Sequence, residues 1–252
     1  RQAVLALCDE AVQSLGEPPR MERITLDARA LAERSGDPYL QAFTLMRYGE
    51  LALMQSRPAD AVRYCDDAAA IFNRLGRPVE AARTRLCWIV AAASLGRLQE
   101  ALHAANAAQR IFAAHHEIER LATLHSNVGL VCIYHGRLHQ TLRRTGAALR
   151  LYGSLGEAGR VGVAGNHLNR GLAYTRLGRL REALAEYALA REIFETLGST
   201  TDIARVTRGI GEAQMGLGHY TAAIAAFEAS LAVFLELGHE QAAEVYERDL
   251  LD

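Results

Sequence analysis

Apolar residues recur along this chain at helical spacing, in segments separated by short turns. From Arg181 to Thr196, Leu184, Tyr187, Ala188, Ala190, Ile193 and Phe194 fall on one stripe, while Glu182, Glu186, Arg191, Glu192 and Glu195 fall elsewhere. The segments are punctuated by Gly, or a residue standing in for it, every twenty residues: Gly16, Gly36, Ser56, Gly76, Gly96, His116, Gly136 and Gly156. After a two-residue slip the marks resume at Gly178, Gly198, Gly218 and Gly238. Leu precedes most of them, as in Leu95-Gly96 and Leu197-Gly198. A Gly at this place suits the left-handed backbone that ends a helix, where a Cβ is costly. Each unit is therefore one helix plus a turn. At about 1.5 Å per residue such a helix spans only some 20 Å and is marginal alone in water, so its stability comes from neighbours.

Two turn types alternate, which makes the true unit a helical hairpin of forty residues. After one type comes a small residue and then a small-x-x-x-aromatic-x-x-small pattern: Ala183, Tyr187 and Ala190 after Gly178, and Ala223, Phe227 and Ser230 after Gly218. Seven residues before those turns stand Gly171 and Gly211, where two helices approach closely; Tyr174 follows Gly171 by three. Weaker copies read Gly49, Ala52, Ser56, Ala61, Cys65, Ala68; then Ile89, Ala92, Gly96, Ala101, Ala105, Ala108; then Gly129, Cys132, Gly136, Thr141, Thr145, Ala148. This pattern resembles the tetratricopeptide repeat (TPR). The resemblance implies an all-α fold, a right-handed α-solenoid of about six TPR-like hairpins in a single array over 1–252. The hairpins are expected near 1–36, 37–76, 77–116, 117–156, 157–198 and 199–238, with 239–252 a capping or truncated helix. The forty-residue period, and LGRPVEAARTRL and LGRLQEAL within Leu75 to Arg110, resemble bacterial arrays linked to CHAT caspase-like protease domains or to signalling ATPases.

Composition narrows the function. Half of the 252 residues are apolar and 6% aromatic, with no apolar run of membrane-spanning length. The chain begins at Arg1 and shows no leader, so it reads as a processed piece of a protein expected in the cytoplasm. Cys8, Cys65, Cys87 and Cys132 lie far apart and read as reduced core thiols. Cys132, His135 and His139 straddle a turn and lack a fourth ligand, so no metal is assigned. No phosphate loop, nucleophile–base pair or cofactor motif stands out, and the expectation is a non-catalytic array without cofactor.

Function in such an array is expected in the groove lined by the first helices, with a protein or peptide as partner, or another domain of the same polypeptide. Asn127 and Asn169 fall two residues before Gly129 and Gly171, the place from which related arrays bond a peptide backbone. Arg205 and Arg208 lie on the next first helix, positioned for an anion beside Asn169. Gly209, Leu168 and Leu172 depart from the carboxylate clamp of peptide-binding relatives. Phe43, Met46, Arg83 and Leu86 make the earlier groove more apolar, which suits an amphipathic helix or a packed core.

The net charge of −1 hides a segregation: nine arginines against Glu157 alone from Arg137 to Arg181, then thirteen acids against four arginines to Asp252. Arg137, Arg143, Arg144 and Arg150 form a basic patch on a second helix, without interleaved aromatics, so nucleic acid is the lesser reading. Gly153, Gly156, Gly159, Gly162 and Gly165 coincide with the slip. They read either as a hinge over 153–165 or as close helix packing. The expected function is a protein- or peptide-binding scaffold, the regulatory or sensor array of a larger bacterial signalling or defence protein. The alternatives are a free-standing peptide-responsive regulator and an array contacting nucleic acid.

Overall fold

The structure, a computed structural model, describes residues 2–13 and 18–236; the expected cap at 239–252 lies outside them. Among the described residues it is all-α, with twelve α-helices. They are α1 (Gln2–Gln13), α2 (Pro18–Ser35), α3 (Pro38–Met54), α4 (Pro58–Arg74), α5 (Pro78–Ser94), α6 (Leu98–Ala114), α7 (Ile118–Tyr134), α8 (Leu138–Gly153), α9 (Arg160–Arg176), α10 (Leu180–Leu197), α11 (Thr200–Gly216) and α12 (Tyr220–Glu236). Sequence neighbours such as α3 and α4, α4 and α5, and α9 and α10 pack on one another. First helices of neighbouring hairpins also meet, α1 with α3, α3 with α5 and α9 with α11, as the α-solenoid class requires. The chain divides into two compact units, Arg1–Asn127 and Val128–Asp252.

Turn chemistry explains the twenty-residue marks. Every mark among the described residues has positive φ, including Ser56 at 56° and His116 at 55°, where a side chain takes the glycine place. The Arg57 N–H donates to the Ala52 carbonyl at 2.8 Å and the Ser56 N–H to the Leu53 carbonyl at 3.1 Å. These are the two bonds of a Schellman closure, which satisfies carbonyls the helix end leaves open. Pro38, Pro58 and Pro78 then open the next helices, where a missing N–H costs nothing.

Packing follows a size exchange between the two helices of a hairpin. A Cβ added to Gly49 would meet Cys65 Sγ at 2.8 Å, one on Gly129 would meet Thr145 Cγ2 at 2.9 Å, and one on Gly211 would meet the Phe227 ring at 2.7 Å. In the third hairpin Ile89 takes the glycine place, and the second-helix position shrinks to Ala105; both are buried. Relative to Gly211 and Phe227 the larger side chain has moved to the first helix at similar summed volume, the kind of swap a close-packed core tolerates. Tyr187 is the extreme case. Its buried ring lies against both Gly171 and Gly209, and its hydroxyl pairs with Thr175 Oγ1 at 3.1 Å. Ala188, placed on the buried stripe by spacing, is exposed, and Ala183 is buried in its stead because α10 turns that side to α9.

The glycine-rich slip is resolved in detail. Gly156 takes the left-handed turn at φ 59°, and Gly156–Gly159 forms a short 3-10 turn. Gly159 and Gly162 lie so close to Tyr152 that a Cβ on either would overlap its carbonyl or ring, while Gly153 and Gly165 face open space. Close approach thus accounts for two of the five and the turn for one.

Candidate functional site

In the first unit, the first helices bring arginines together around one aromatic ring. Arg47 on α3 and Arg83 on α5 place their guanidinium carbons 5.3 Å and 5.2 Å from the centroid of Phe43. Phe43 is 6% exposed and Met46 1%, so both belong to the core cluster with Leu40 and Phe72 and support the surface from below. Tyr39 stacks on Phe43 at 6.2 Å and meets Phe72 edge-on at 5.6 Å, holding the ring in place.

The electrostatics of this cluster are unbalanced. Arg47 is 3% exposed and pairs through Nη1 with Glu50, yet its Nε and Nη2 have no hydrogen-bond partner. Arg120 pairs with Glu117 three residues before it. Arg83 has no carboxylate in ion-pair reach among the described residues. Burial, and then repulsion from Arg47, holds its pKa below the usual guanidinium value, though it stays charged. Beside Arg83 opens a cavity of about 380 Å³, walled by Tyr39, Arg77, Glu80, His115, Glu117 and Arg120. Its rim includes Gly76–Glu80, the amino end of α5, whose helix dipole favours negative charge.

The asparagines serve different ends. Asn127 on α7 is half-buried, and its Nδ2 donates to the Leu86 carbonyl on α5 at 2.8 Å, tying two first helices together. Asn169 on α9 is 8% exposed. Arg205 turns to Asp202 at 3.1 Å and Arg208 to Glu212 at 3.0 Å, so both carry carboxylates of their own helix. Of the basic patch, Arg143 and Arg150 are exposed on α8, a second helix, Arg137 stands just before its start without a side-chain capping bond, and Arg144 is half-buried beside Cys132.

Two clusters escaped the sequence reading. One is Arg47 with Arg120. Arg47 stands two residues before Gly49, the same register as Asn127 and Asn169, and that register was the available signal. The other is Glu186 on α10, which accepts from Arg170 Nε at 2.8 Å and pairs with His167 Nδ1 at 2.7 Å. Burial acts to raise its pKa, but the His167 hydrogen bond and the Arg170 charge outweigh it and hold the carboxyl below its usual value. Nothing local marked this group, because its partners lie on α9, sixteen and nineteen residues away.

Comparison with known proteins agrees with this architecture. Residues 163–236 match the family model described as the tetratricopeptide repeat. No curated protein sequence matches the chain. Among solved structures, NprR in complex with its cognate peptide NprX is 13% identical with a TM-score of 0.74, over 97% of this chain and 71% of that one. A Rap protein complexed with competence and sporulation factor is 16% identical with a TM-score of 0.69, over 99% and 70%. Aspartyl phosphate phosphatase F from Bacillus subtilis is 14% identical with a TM-score of 0.59, over 99% and 73%. At such identities the likeness is one of fold, here a TPR-like helical solenoid.

Proposed function

We propose that this chain is a non-catalytic protein- or peptide-binding scaffold whose ligand lies against the first helices of its first unit, α3, α5 and the start of α7. The observation that carries the reading is the cavity beside Arg83, walled by first-helix side chains and the turns that lead into those helices, and bordered by a guanidinium without a carboxylate among the described residues. Of two proteins of like fold, NprR has been seen with its cognate peptide NprX and a Rap protein with competence and sporulation factor, which supports a ligand-binding use of this fold here. That a phosphatase shares the fold carries no weight for catalysis, since fold alone does not transfer chemistry. Asn169, Arg205 and Arg208 are a secondary contact region in this reading, and Asn127 supports the cavity through its tether to α5.

In the cell the scaffold acts as the regulatory or sensor array of a bacterial signalling or defence protein in the cytoplasm. Linkage to a CHAT-type protease or an ATPase rests on the resemblance of the Leu75 to Arg110 repeats alone. The test is selection of binders from a random peptide library, followed by hydrogen exchange with a selected peptide bound. Protection on α3, α5 and α7 is expected. Protection confined to the second helices α4, α6 and α8, or selection that yields no binder, removes the proposal.

A further inference from the structure

We infer that the ligand of this scaffold is acidic, and that Arg83 is its anchor, taking a carboxylate into the cavity between α3, α5 and the start of α7. The inference rests on the scaffold reading above and specifies its chemistry. Among the described residues Arg83 is the half-buried arginine here that stands without a carboxylate; Arg47 has Glu50 and Arg120 has Glu117, while Arg77, also without an ion pair, is exposed on the rim. Its guanidinium lies on the Phe43 ring, which blocks one route of hydration. Behind it, Arg47 keeps two N–H-bearing nitrogens without acceptors in a buried place. A partly desolvated cation beside a second one is held at a cost, and an anion in the adjoining cavity removes that cost.

An alternative partner for Arg83 is present and is not used. Glu80 stands three residues before it on the same helix, the spacing at which Arg205 takes Asp202, yet Glu80 borders the cavity and forms no ion pair with Arg83. Phe43, itself stacked on Tyr39, holds the Arg83 side chain toward α3 instead. The planar fork of Arg83 thus faces the cavity region with bidentate geometry available for a carboxylate. The cavity volume of about 380 Å³ admits a residue or two of a peptide.

The test uses three blocked or unblocked pentapeptides against the full chain, read by the arginine Nε–H and backbone resonances in NMR titrations. One is acetyl-LELEL-amide, the second acetyl-LQLQL-amide, and the third acetyl-LQLQL with a free carboxyl terminus. The first is expected to shift the Arg83 Nε–H and to bind at least tenfold more tightly than the second; Arg83→Met is expected to abolish that difference, and Glu80→Gln to tighten it severalfold. Tight binding of the third instead assigns the carboxylate to the peptide terminus, with Arg83 still the anchor. Equal binding of all three on α3 and α5 overturns the acidic ligand and leaves the scaffold. No binding of any, with library selection productive, overturns the inference alone; no binding with library selection empty overturns both.

Discussion

Arg83 and Arg205 occupy the same place in their hairpins, six residues before the motif positions Ile89 and Gly211, and each has an acid three residues earlier, Glu80 and Asp202. In the second unit that acid is taken: Arg205 is exposed and bonded to Asp202 at 3.1 Å. In the first unit it is refused, and Arg83 lies on Phe43 beside a cavity. The same local sequence yields a self-satisfied surface pair in one unit and an open guanidinium in the other. What differs is the neighbouring first helix, which offers Phe43 to Arg83 and small Gly165 at the equivalent place before Arg205. A charged residue is therefore read by what its neighbours leave unpaired, not by its presence in a repeat.

The register two residues before the motif position makes the same point through packing. It holds Arg47, Cys87, Asn127, Asn169 and Gly209 in successive hairpins. Gly209 has no side chain because Tyr187 needs the space: a Cβ there would stand 2.6 Å from the ring. Gly209→Ala is the largest expected effect, a loss of about 2–3 kcal/mol from overpacking against a ring already held by Gly171. Asn127→Ala, at the same register, is expected to cost about 1 kcal/mol through its lost bond to the Leu86 carbonyl. Urea unfolding of both variants measures the contrast, and equal losses would break it.

Glu186→Gln comes next. It leaves Arg170 half-buried with its carboxylate replaced by an amide, at an expected cost of about 2 kcal/mol at neutral pH. Because Glu186 has a folded pKa below its usual carboxylate value, its stabilisation is full above that ordinary value. It is lost as pH falls through the lower folded one. Thermal melts from pH 6 to pH 3 should show the parent losing stability over that acid range faster than Glu186→Gln. Parallel melting curves would remove Glu186 from the folding balance.

Smaller effects separate the two arginines themselves. Arg83→Met is expected to leave stability within about 1 kcal/mol of the parent or to raise it, because an unpaired, partly buried charge is removed while its stem volume stays. Arg205→Met removes an exposed pair and is expected to change stability by less than about 0.5 kcal/mol. Only the first is expected to alter peptide binding, so isothermal titration of both variants with a selected peptide sharpens the comparison directly. Opposite in sign to most of these, Ser56→Gly should stabilise the first unit by about 0.5 kcal/mol. It relieves a left-handed Cβ, partly offset by the added freedom of the unfolded chain. Its midpoint in urea is the check.

Much of the fold was legible in the sequence because its signals are local. Positive-φ turns need Gly or a tolerated substitute, so the twenty-residue marks located the helix ends. Helical spacing and the alternation of turns then paired the helices into hairpins. The substitution of Ile89 and Ala105 for a small–large pair was harder to read, since the compensating residue sits sixteen positions away on another helix.

The site was less legible, for a physical reason. Sequence by itself determined the repeat, the helix ends, the small residues at close approaches and the presence of arginines on first helices. Only the tertiary structure decided which of those arginines would be satisfied. Ion pairing, desolvation and ring stacking depend on distances across helices, and these change with the side chains that set the packing. Arg83 is left open because α3 presents Phe43 to it, while Arg170 is closed because α10 presents Glu186. Neither outcome is written within the helix that carries the arginine.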